Sequence, residues 1–217
     1  EFLTPEIPAL GYKAIAVSSV REEQRKLVPL SAPCVLENRY YRIRFAGDGS
    51  FLSVYDKELK RELFDQKAPF RGNQFVYTND NHRSFFTQAD GARFEYGENA
   101  LVQTVQIRTT EPVSGAAVEM TVTLPAYEKR IDLEIRLDHV RDVINNHRYY
   151  RYGYFAFPFL VENASRKVHL NGCVASPGPD GQTGHGTETY LAAREWCCVE
   201  NDAFGIALFL QDSQLVE

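Results

Sequence analysis

The chain's 217 residues exceed the ~150 of a typical domain but suit one large all-β domain. With 44% hydrophobic and 24% charged residues it matches globular averages, which excludes wholesale disorder. Twenty-four Lys and Arg against 29 Asp and Glu leave a net charge of −5, which argues against nucleic acid or an anionic membrane as a partner. No apolar run approaches the ~18–20 residues that cross a bilayer as a helix.

Period-two alternation dominates from the first elements onward. Strands are predicted at Tyr12–Val17, Tyr40–Phe45 and Phe51–Tyr55, the last two joined across Gly47-Asp48-Gly49-Ser50 at hairpin distance. Val20–Leu27 and Lys57–Phe64 are the two places where a turn or two of helix fits. Phe75–Tyr77, Ala92–Tyr96 and the run containing Leu101, Val105 and Ile107 continue the strand pattern, with a polar turn cluster at Asn79-Asp80-Asn81-His82. Val118, Met120, Val122 and Leu124 share one side of a strand that Pro125 ends. From Arg130 to Asp138, Ile131, Leu133, Ile135 and Leu137 face one way and alternating charges the other, a half-buried strand. Tyr152–Val161, Val168–Ala175, Trp196–Val199 and Phe204–Leu210 complete the set, with weaker turn signals at Asn171-Gly172 and Asp202-Ala203.

A dozen short strands with almost no helix predict an all-β fold, a large antiparallel β-sandwich. Residues 1–30 read as a lead-in strand and linker. Residues 31–217 read as the sandwich, truncated at its C-terminal end.

Few residues offer chemistry. Cys34, Cys173, Cys197 and Cys198 have neither zinc-type spacing nor the density of a disulfide framework, so free thiols are expected, with Cys197 and Cys198 on opposite faces of a strand. His185 with Glu188 lacks the second histidine of a zinc helix, and Asp180-Gly181 lacks the alternating acids of a calcium loop, so no metal is expected in the chain. Asp132 and Glu134 share a strand face, but Arg130 and Arg136 flank them, which marks a solvated charged face rather than a catalytic pair. Two long loops are better placed for ligands: 141–152, rich in Arg and Tyr, and 176–189, with four glycines and two prolines. Tyrosine rings suit the apolar C–H patches of sugars.

Several segments together resemble one family. Leu36-Glu37-Asn38-Arg39-Tyr40-Tyr41-Arg42, the Gly47–Ser50 turn, and Tyr55-Asp56-Lys57-Glu58-Leu59 followed by Arg61-Glu62-Leu63 resemble the opening of the β-sandwich region of glycoside hydrolase family 38 α-mannosidases. Pro8-Ala9-Leu10-Gly11-Tyr12 upstream is similar to that family's preceding strand. Arg194-Glu195-Trp196, Phe204–Leu208 and Asp212-Ser213 are similar to its later strands, with Cys197-Cys198 where the family has Val-Asp.

The resemblance implies that the nucleophile, the acid/base and the zinc ligands belong to an N-terminal catalytic domain that no segment here matches. This chain would then be a non-catalytic support of that domain, lining part of a cleft for mannose-containing glycans. It would carry no cofactor itself, zinc being implied only for the catalytic domain. Arg148, Tyr149, Asp180, His185 and Tyr190 are the loop residues expected to contribute to that cleft. Two other readings stand beside it. One is a free-standing carbohydrate-binding module. The other is a mutarotase-like enzyme, which would need His82, His147, His169 or His185 to meet carboxylates in one groove.

Overall fold

A computed structural model describes residues 27–30, 34–79, 84–138, 152–170, 172–176, 191–211 and 215–216. All its regular elements there are strands: β1 (Val28–Leu30), β2 (Val35–Glu37), β3 (Tyr41–Phe45), β4 (Phe51–Asp56), β5 (Arg61–Glu62), β6 (Gln74–Asn79), β7 (Ser84–Thr87), β8 (Arg93–Glu98) and β9 (Val102–Thr110). These are followed by β10 (Ala117–Pro125), β11 (Asp132–Asp138), β12 (Tyr152–Ala156), β13 (Ser165–Leu170), β14 (Cys173–Ala175), β15 (Leu191–Ala192), β16 (Trp196–Glu200), β17 (Gly205–Phe209) and β18 (Leu215–Val216). The chain divides into two compact units between Pro158 and Phe159.

In the first unit, β1-β8-β9-β10-β11 form one antiparallel sheet, β8 to β11 as an up-and-down meander. Alternation puts Phe94, Val105, Ile107, Val118, Met120, Val122 and Leu124 on its buried face. Each such side chain contributes roughly 1.5–3 kcal/mol by leaving water. A second sheet, β2-β3-β4-β5, buries Leu36, Ile43, Phe45, Phe51 and Val54.

The two sheets meet as a sandwich. The Phe45 and Phe94 rings lie 6.2 Å apart, and a Cβ built on Gly49 would come 2.5 Å from Cγ2 of Ile107. The third sheet of this unit, β12-β6-β7, packs its aromatics in pairs, Phe75 on Phe155 at 5.3 Å being the closest.

The 47–50 turn is the hinge of this packing. Gly49 sits at φ +87°, a conformation that costs L-residues with a Cβ, and its lack of a side chain lets the turn lie on Ile107 and Met120. Asp48, only 3% exposed, accepts from the backbone N–H and hydroxyl of Ser50. It also accepts from Gln74 Nε2 at 2.9 Å and pairs with Arg71 at 3.3 Å. Gln88 donates to the Asp48 carbonyl and accepts the Phe75 N–H. A buried carboxylate is tolerated because every lone-pair direction meets a donor.

In the second unit, β14-β13-β16-β17 form a sheet, and β15 pairs with β18. Among its described hydrophobic side chains only Val168 and Ala193 are fully buried. The β16–β17 hairpin closes on Asn201, whose side chain accepts the N–H groups of Ala203 and Phe204.

Three local expectations change. Lys57–Phe64 holds no helix: the Asp56 carboxylate accepts the N–H groups of Glu58 and Leu59, closing a turn that ends at Lys60 (φ 55°), and β5 follows. The run Val168–Ala175 is two strands, because Leu170 pairs with Cys173 and Gly172 takes φ 82° between them. The strand starting at Tyr152 ends at Ala156, two residues before Pro158.

Of the thiols, Cys34 is buried, Cys197 and Cys198 half-buried, and Cys173 exposed, all four free. Residues 1–26, including the lead-in strand expected at Tyr12–Val17, lie outside the described residues, although β1 at 28–30 is already part of the first sheet.

Candidate functional site

The motif segments converge on one corner of the first unit. Asn38 makes an Asx-type turn, its Oδ1 accepting the N–H groups of Tyr40 and Tyr41 at 2.8 and 2.7 Å, while its Nδ2 donates to the Pro125 carbonyl at 2.6 Å. Lys57 reaches back across the sheet to Glu37 at 2.7 Å, and Arg42 holds the same carboxylate at 3.0 Å. Arg42, and then Lys57, keep the Glu37 carboxyl below the usual glutamate range, so it stays ionised at neutral pH.

Below this corner Lys129 sits between Asp56 at 3.0 Å and Glu58 at 2.8 Å. Burial alone would lower the Lys129 ammonium, but bonds to Glu58 and Asp56 outweigh it and hold it above the ordinary lysine range.

Beside the motif corner lies a cleft of about 340 Å³ lined by residues 37–39, 99, 102–103, 124 and 126–127. Three turns build it: β2–β3, β8–β9 and β10–β11. In an antiparallel meander the β8–β9 and β10–β11 turns fall at the same end, which brings Asn99 and Tyr127 together. Asn99 Oδ1 accepts the N–H groups of Leu101 and Val102, and Gln103 Oε1 accepts the Glu37 N–H at 2.8 Å. Arg39 lies over the Tyr40 ring, 4.3 Å from its centroid, and hydrogen-bonds the Tyr40 hydroxyl.

The remaining acids take architectural parts. Glu111, fully buried, accepts the N–H groups of Val113 and Ser114 and shapes the 111–116 turn. Asp132 pairs with Arg130 at 3.1 Å, and Glu134 with Arg136 at 2.8 Å, all four well exposed. No three His, Cys, Asp or Glu among the described residues are placed to hold a metal ion.

Arg148, Tyr149, Asp180, His185 and Tyr190 all lie outside the described residues, as do His82 and His147. His169 is described. Its ring stacks parallel to Trp196 at 5.8 Å, and Nδ1 lies 3.4 Å from Glu195, an ion pair when the imidazole is protonated. Sequence reasoning took Glu37, Asn38 and Arg39 only as motif letters and missed Asn99, Gln103 and Tyr127 as their neighbours. Strand parity was the available signal.

The model of the glycosyl hydrolases family 38 C-terminal domain matches residues 36–169, more than half of the chain. The chain belongs to this family. The matched span covers the motif corner and the cleft and reaches into β13. It leaves out the upstream 8–12 segment and the downstream 194–213 segments that also resemble the family. No curated protein sequence matches the chain.

Proposed function

We propose that the chain is a non-catalytic β-sandwich domain of an α-mannosidase-like retaining glycoside hydrolase, which supports the catalytic domain and lines part of its sugar-binding cleft. The observation that carries this reading is how the family's own signature residues are used. Asn38, Asp56 and Lys57 each close a turn or bridge two strands, and the buried acids Asp48 and Glu111 are engaged by nearby donors. A general acid needs a carboxyl held near its working pH in reach of a substrate. Glu37, the one carboxylate of the cleft, is instead held ionised by two cations.

The sheet of the second unit supports a supporting role. Its register pairs Val174 with His169 and Trp196 with Phe209, and the His169 and Trp196 rings stack, which puts the four on one face. Phe209 is 78% exposed and Val174 54%, apolar surface of the kind that marks a docking face.

The test is hydrolysis of p-nitrophenyl α-mannoside by this chain, with and without added zinc, beside the full-length parent. The expected result is no turnover by the chain and zinc-dependent turnover by the parent. Turnover by the chain alone overturns the proposal.

A further inference from the structure

We infer that the outer edge of β17 is a self-pairing edge, on which a second copy of this chain lays its own β17 antiparallel about a two-fold axis at Ala207. The inference is independent of the scaffold reading and adds an interaction surface together with its partner.

Backbone direction comes first. β17 pairs with β16 on one side, and among the described residues no strand lies on the other. The ladder is pinned at both ends: the Leu210 N–H donates to the Glu195 carbonyl at 2.7 Å, and the Asn201 N–H to the Phe204 carbonyl at 3.0 Å. Bonded pairs recur at every second residue of an antiparallel ladder, so Ile206 and Leu208 also turn their backbone groups toward β16. Gly205, Ala207 and Phe209 therefore aim their N–H and C=O groups away from the sheet. All three residues are exposed, Phe209 at 78%, so this edge is open.

The sequence then selects the partner. From Ala203 to Gln211 there is no charged residue and no proline. Every outward N–H can donate, and a copy laid antiparallel meets no like charge. With Ala207 opposite Ala207 of the second copy, the outward groups of the two strands coincide. Ala207 exchanges both bonds with its counterpart, and Gly205 exchanges both with Phe209 of the second copy.

Side chains fit the same register. Ile206 falls opposite Leu208 of the second copy, an apolar pair on one face. On the other face Phe209 falls opposite a glycine. A Cβ on Gly205 would come 3.0 Å from the Glu200 Cβ, which keeps that position bare, and a bare edge glycine is what a cross-strand aromatic ring covers. Glu200 beside it is already answered by Lys167. The strand is thus its own complement. Each copy brings one β17, so the pairing closes at a dimer and doubles the four-stranded sheet. A five-residue edge is small beside the ~1,200–2,000 Å² of tight interfaces, which makes the dimer reversible.

The experiment is sedimentation of the full chain over a dilution series, beside Ala207→Pro, Ala207→Lys and Ala207→Glu. The native chain should pass from monomer to dimer and no further. Because the Ala207 N–H takes no part in the β16 ladder, proline there removes only the donor offered to the second copy, and A207P should weaken association at least about ten-fold. A207K and A207E should each be monomeric, yet pair again when mixed, which a folding defect would not allow. Amide exchange reads the register: Gly205, Ala207 and Phe209 should become protected as concentration rises, while Ile206 and Leu208 are protected throughout. A chain that stays monomeric at its highest soluble concentration, growth beyond the dimer, dimers indifferent to A207K, or A207K and A207E that stay apart when mixed would each overturn the inference. None of these results bears on the mannoside assay above.

Discussion

Gly49 and Gly91 hold nearly the same backbone conformation, φ +87° and +88°, in different surroundings. A Cβ at Gly91 meets nothing within 4 Å, whereas one at Gly49 would lie 2.5 Å from Ile107 Cγ2 and 3.2 Å from Met120 Cε. Replacing either by Ala imposes the left-handed penalty, about 1–2 kcal/mol. At Gly49 the added methyl also has to open the sandwich interface, and overpacking of that kind costs a further ~1–3 kcal/mol. Gly91→Ala should therefore lose about 1–2 kcal/mol and Gly49→Ala about 2–5 kcal/mol, a large part of the ~5–15 kcal/mol that holds a domain folded.

Urea unfolding of both variants measures the difference, and the double variant Gly49→Ala/Ile107→Ala locates it. Truncating Ile107 alone costs ~2–5 kcal/mol through the cavity it leaves. If the clash is real, the double variant loses less than the two single losses added together. Equal losses at Gly49 and Gly91, or strict additivity with Ile107, would refute the claim that this turn is seated on the opposite sheet.

Other outcomes follow from the same geometry. Asp48→Ala leaves Gln74 Nε2 and the Ser50 donors unanswered in a buried place and should cost about 2–4 kcal/mol in urea unfolding, more than Ser50→Ala. Lys129 has its folded pKa raised, so its stabilising contribution is complete below the ordinary lysine pKa of ~10.4 and is lost as pH climbs through the folded value. Stability of the native chain should thus fall more steeply than that of Lys129→Met in unfolding series run above about pH 10. Burial pushes the Cys34 thiol up to about 11 and raises Cys197 and Cys198, while Cys173 is exposed. Ellman's reagent should modify Cys173 first and Cys34 only on unfolding; early labelling of Cys34 would contradict the packing around it.

Much of the fold could be read from alternation alone. The buried set Val118, Met120, Val122 and Leu124 and the charged row Asp132, Glu134, Arg136 emerge as the sequence spacing requires, because one side of each strand must leave water. Alternation failed where two strands of the same parity run together: Val168–Ala175 keeps its apolar character across Asn171-Gly172, and only the turn dipeptide betrays the hairpin. It also missed β7, whose Ser84-Phe85-Phe86-Thr87 is too short to show a period.

The cleft was harder still. Its residues come from segments up to 90 positions apart, Glu37 to Tyr127, and no local pattern links them. Counting strands along the meander does, since the turns after β8 and β10 open at one end. The loops that drew attention for their tyrosines and glycines were chosen by composition, and the site residues expected from them lie outside the described residues.

The five-stranded sheet has two outer strands among its described residues, and they are finished differently. β1 carries Pro29, which has no N–H to offer a newcomer, within the three residues Val28-Pro29-Leu30. β11 presents Asp132, Glu134, Arg136 and Asp138 as an exposed charged row. A neighbouring chain trying to extend the sheet would lack a donor at one border and would have to desolvate charges at the other. Free borders of this kind are where β-proteins join into aggregates, and both are closed here by residues that add nothing to the core.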